Sequence, residues 1–97
     1  MRLKEYLDFT AEAAAHCEDG KLVYVIGGLF GVEWPIDNGF AVLAYDNGDE
    51  SGWHIWRETI DGEQCCEGHT EELGQVPLED LQLTAMRALS KHRHSRL

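Results

Sequence analysis

Cys65-Cys66-Glu67-Gly68-His69 carries the residue types of half a metal site, and His54, His16 and Cys17 are the residues that could complete it. Zinc needs four ligands converging tetrahedrally, usually delivered as spaced pairs around a turn. Adjacent cysteines on a strand point to opposite faces, so only one of Cys65 and Cys66 could easily join His69. No second paired motif follows, and no metal is expected. His16 and Cys17 are neighbours, but on a helix neighbouring side chains diverge by about 100° and cannot face each other as a thiol–imidazole pair. Gly27-Gly28-Leu29-Phe30-Gly31 has neither the spacing of a dinucleotide fingerprint nor the Lys-Ser/Thr of a nucleotide loop. Val32-Glu33-Trp34-Pro35 after it does not open a helix, so no helix dipole awaits a phosphate. Carboxylates are so abundant that no pair stands out as acid and base. The expectation is a protein without catalytic residues, cofactor or metal: not an enzyme.

The carboxylates matter collectively. The chain of 97 residues has eighteen Asp plus Glu against eight Lys plus Arg, a formal charge of -10. Residues 46–80 hold eleven of the acids (Asp46, Asp49, Glu50, Glu58, Asp61, Glu63, Glu67, Glu71, Glu72, Glu79 and Asp80) against Arg57 alone. Residues 1–45 are net -4, and residues 81–97 are net +4 through Arg87, Lys91, Arg93 and Arg96. The net acidity therefore belongs to one third of the chain. A body of this sign would repel a nucleic-acid duplex, which argues against direct nucleic-acid binding.

These residues need a scaffold. Length and a hydrophobic content of 43% fit one folded domain over 1–97, with a basic C-terminal tail from about 91 to 97. Apolar residues at three- and four-residue spacing predict an amphipathic helix over 2–18, with Cys17 on its apolar face. Leu22-Val23-Tyr24-Val25-Ile26 is apolar on both faces, the pattern of a central strand. Pro35 limits the next segment to an edge or a strand end. Asp37-Asn38-Gly39, Asp46-Asn47-Gly48 and Asp61-Gly62 are tight-turn signals around Phe40–Tyr45 and Trp53–Ile60, which predicts an antiparallel meander. Glu63–Cys66 is a possible last strand. Pro77 before Glu79 and Asp80 starts a second helix with Leu78, Leu81, Ala85, Ala88 and Leu89 on one side. The fold class is α+β: an N-terminal helix, a four- to five-stranded antiparallel meander and a C-terminal helix, both helices on one sheet face.

Three cysteines, two adjacent, make no disulfide framework and fit a reducing cytoplasm. No apolar stretch follows Met1–Glu5 as a signal peptide would require, and the apolar run 22–30 is too short for a membrane span.

Function is expected to be interaction. Carboxylates on a compact scaffold can replace phosphates as partners for Lys and Arg, so an acidic decoy competes for a basic groove. The expected partner is the basic groove of a nucleic-acid-binding protein or ribonucleoprotein complex. Nuclease immunity proteins and phage-encoded inhibitors such as anti-CRISPR proteins form that physical class, which would place a phage-encoded chain in the host cytoplasm. No motif here resembles any one such family. The contact residues expected are Asp49, Glu50, Glu58, Asp61, Glu63, Glu67, Glu71 and Glu72, with Trp56 as the aromatic anchor. Trp53 and Trp56 fall on opposite faces of a regular strand, and Trp34 beside Pro35 is another candidate for partial exposure, although for any single tryptophan the core is the favoured place. The alternative is a non-catalytic adaptor or homodimeric structural subunit with an aromatic and apolar interface.

Overall fold

The computed structural model describes residues 2–25, 28–37, 39–46, 48, 52–59 and 71–95. Helix α1 spans Leu3–Ala15. Five strands follow: β1 (Lys21–Val25), β2 (Leu29–Ile36), β3 (Gly39–Asp46), β4 (Gly52–Thr59) and β5 (Glu71–Gly74). A 3-10 turn at Leu78–Asp80 then leads into helix α2, Leu81–Ser95. The strands lie in chain order and all neighbouring pairs are antiparallel.

The connections explain that order. Asp37 and Asn38 alone join β2 to β3, and so short a link permits only an antiparallel return. After β3, Asp46 turns its carboxylate back to accept the Gly48 N–H at 2.8 Å, an Asx turn. Pro35 lies within β2 but beyond Glu33, the last β2 residue with a partner on β1, so its missing N–H breaks no ladder there.

Strand alternation divides the sheet into two faces. Val32 and Trp34 from β2, Ala41, Leu43 and Tyr45 from β3, and Trp53 and Ile55 from β4 form one core with both helices. Helix α1 contributes Tyr6, Ala13 and Ala14, with Cys17 just beyond its end, and α2 contributes Leu81, Ala85, Ala88 and Leu89. The alanines let each helix sit close to the sheet. A fully buried side chain such as Leu43, Ile55 or Leu81 contributes about 1.5–3 kcal/mol. Trp53 is wholly buried, and its Nε1 finds no hydrogen-bond partner among the described residues.

One side chain from α1 ties two strands together. The Tyr6 hydroxyl accepts the Phe30 N–H at 2.7 Å and donates to the Tyr45 carbonyl, whose residue pairs with Phe30 in the ladder. The Tyr6 ring meets the Phe30 edge at 5.4 Å between centroids, and Phe9 packs on Tyr45 at 4.7 Å. Close backbone approach fixes two glycines. A Cβ on Gly31 would fall 1.9 Å from the Leu43 oxygen. Gly52, at φ +143°, would place one 2.8 Å from the Gly74 Cα, where the β4–β5 pairing is irregular.

One expectation needs correction. Among the described residues Lys21–Val25 is an edge strand of the sheet, not a central one, because the first strand of this meander pairs with β2 alone. Trp34 is buried at 3% exposure: it shares the core side with Val32, pairs with the small Ala41, and donates its indole N–H to the Met86 sulfur at 3.3 Å. Its neighbour Pro35 takes the exposed position. The strand after β4 among the described residues is Glu71–Gly74, whereas Glu63–Cys66 lies outside them.

Candidate functional site

With both helices on one side, the second face of the sheet carries its own set of side chains. Residues opposite one another in the register share a face, so three rows can be traced across it. One row runs Lys21, Glu33, Val42, Trp56. The next runs Val23, Gly31, Ala44, His54, Glu72, and a third runs Pro35, Phe40, Glu58. Val42 and Ala44 are buried at 2% and 0% exposure although both stand outside the helix-side core. Around them Phe40, Trp56, His54, Glu33 and Glu58 are half-buried, and Glu72 is exposed. The Trp56 indole donates from Nε1 to the Glu58 carboxylate at 3.1 Å. That bond satisfies the polar edge of the indole and holds a carboxylate beside its apolar face. The result is an apolar strip with Glu33, Glu58 and Glu72 spread along it, and Lys21 at the β1 end.

Of the expected contact residues, Trp56, Glu58 and Glu72 come together here. Glu71 pairs with Ile55 and so belongs to the helix side, dividing two consecutive acids between the faces. Asp49, Glu50, Asp61, Glu63 and Glu67 lie outside the described residues, as do Cys65, Cys66 and His69. Glu33 was missed because it sits in the less acidic part of the sequence. Its signal was the alternation Val32-Glu33-Trp34, which sends Glu33 to the face opposite the two buried neighbours.

A cleft of about 550 Å³ opens on the other side, between α2 and the ends of α1 and β2. Trp34, Ile36, Met86 and Leu89 provide its apolar lining, and Glu18, Asp19, Asp37 and Arg57 its charges. Gln82 closes one wall by bonding both the N–H and the carbonyl of Glu18, at 2.8 and 2.9 Å. Among the described residues its lining contains no histidine or cysteine. Cys17 is buried, and desolvation pushes its thiol pKa up, away from the thiolate that nucleophilic chemistry needs. His16 bonds back to the Glu12 carbonyl at 3.0 Å on the helix exterior. Among the described residues no three His, Cys, Asp or Glu side chains are grouped to hold a metal ion. Among them, too, no helix is long and apolar enough to cross a membrane.

Among the described residues the chain is thus an α+β fold in two layers, with both helices on one face of the sheet and side chains alone on the other. Compared with known protein families, curated proteins and solved structures, it matches none.

Proposed function

We propose that this protein is a non-catalytic interaction module whose docking surface is the helix-free face of the sheet, and that its partner presents a basic surface. The observation that carries this reading is the placement of half-buried Trp56 beside Glu58, with Glu33 and Glu72 on the same face. A tryptophan in that setting offers a large apolar contact with its polar edge already bonded. The carboxylates on either side of it would then meet Lys or Arg, steering the encounter and fixing its register. Arginine fits best, because its planar guanidinium can both pair with a carboxylate and stack on the indole. The partner is accordingly a protein whose arginine-rich groove ordinarily holds nucleic acid, and the module acts as an inhibitor by occupying it.

NMR titration of the labelled protein with an oligoarginine peptide tests the location. Shifts gathered on Glu33, Phe40, Val42, Trp56, Glu58 and Glu72 support the proposal. Shifts gathered instead on the outer side of α1, at Glu5, Asp8 and Glu12, or around the cleft, at Glu18, Asp19 and Asp37, overturn it.

A further inference from the structure

Strand β1 is apolar on both faces yet lies at the edge of the sheet, paired with β2 alone. Among the described residues its outer backbone groups therefore have no strand to bond. Natural edges are usually blunted by charges, proline, a bulge or a covering helix. Lys21 opens the strand with a single charge, but Leu22-Val23-Tyr24-Val25 has no charge and no proline, and the pairing with β2 is regular from Lys21 to Val25. Leu22 and Tyr24 are 41% and 68% exposed. Both stand on the helix side of the sheet, opposite Val32 and Phe30, but helix α1 leaves them uncovered.

We propose that a second copy of this chain fills that edge: two β1 strands pair antiparallel about Val23, joining two five-stranded sheets into one of ten. The sequence is self-complementary in that register. Val23 meets Val23, and Leu22 of each copy lies opposite Tyr24 of the other, forming the same aromatic–aliphatic cross-strand pair twice on one face. Charge selects the same edge. Two copies of a chain at -10 repel each other over most of their surfaces, but residues 20–32 contain no Asp or Glu. Contact along this segment brings no carboxylate of its own strand against its copy. The pairing also resolves the mismatch between sequence pattern and position, because it makes β1 a central strand. It uses the edge rather than the face, so it stands independently of the docking surface and leaves Trp56 accessible.

The contact is short, and the dimer should be of the weak, concentration-dependent class. Sedimentation of the full chain from about 5 to 500 μM should show the mass rising from 11.0 kDa toward twice that value. Hydrogen exchange over the same range should show added protection on alternate amides of residues 21–25. Leu22→Lys and Tyr24→Lys change exposed positions and should hold the protein monomeric at every concentration, with its thermal melt little altered. A wild-type chain that stays monomeric throughout overturns the proposal. So does a dimer that persists in both variants, or concentration-dependent protection confined to other segments. Trp56→Phe should leave self-association unchanged, which separates this contact from docking through the face.

Discussion

The Trp56 indole and the Glu58 carboxylate, two residues apart on β4, point to the same side of the sheet and share a hydrogen bond of 3.1 Å. This bond is made on the face without helices, where a large half-buried aromatic and an acid are held together at the surface. Trp34 and Trp53, by contrast, are 3% and 0% exposed on the other side.

Trp56 should therefore dominate the quenchable fluorescence. Acrylamide should quench the wild type readily and Trp56→Phe much less, and saturating oligoarginine peptide should protect the wild-type signal. Trp56→Phe should cost less than about 1.5 kcal/mol in urea unfolding, as expected for a conservative change at a half-buried position. Equal quenching of the two proteins would show that another tryptophan is the accessible one.

Tyr6 should matter far more for stability than for binding. Tyr6→Phe deletes the hydroxyl that accepts from Phe30 and donates to Tyr45, leaving backbone groups between β2 and β3 without that partner. The expected loss is about 1–3 kcal/mol in urea unfolding, with the folded far-ultraviolet spectrum retained. A loss below about 0.5 kcal/mol would mean that the hydroxyl adds no net stability.

Alkaline pH should destabilise the fold. Burial raises the pKa values of the Cys17 thiol and the Tyr6 phenol, so above the unfolded values the native state keeps protons that the unfolded chain gives up. These two groups contribute their stability fully below the unfolded thiol value of about 8.5 and lose it as pH rises through their native values. The melting temperature should fall from about pH 8.5 upward, and Cys17→Ala should reduce the slope. An unchanged slope in that variant would remove Cys17 as a contributor.

The sheet was readable because its strands announce themselves. Phe40–Tyr45 and Trp53–Thr59 are rich in β-formers, and the sequence signals Asp37-Asn38-Gly39 and Asp46-Asn47-Gly48 fall at the ends of β2 and β3. Edge position was not readable, because apolar residues on both sides of β1 describe what would suit the strand rather than which neighbours it has. Strand β5 was missed for the opposite reason. Glu71 and Glu72 have low intrinsic β preference and are placed by pairing with Ile55 and His54. The same pairing explains why an acid-rich segment did not translate directly into a surface. Which acids share a face depends on register, and register assembled Glu33, Glu58 and Glu72 from three separate strands while sending Glu71 to the other side.

The most direct measurement compares two triple charge reversals by oligoarginine affinity at several salt concentrations. Glu33→Lys/Glu58→Lys/Glu72→Lys alters the helix-free face, whereas Glu5→Lys/Asp8→Lys/Glu12→Lys alters exposed positions on α1, and each raises the net charge by six. The face triple should weaken binding by more than about 10-fold and flatten its salt dependence, while the helix triple changes it by less than about 3-fold. Equal losses in the two proteins would contradict a defined docking face and leave only the overall charge of the chain.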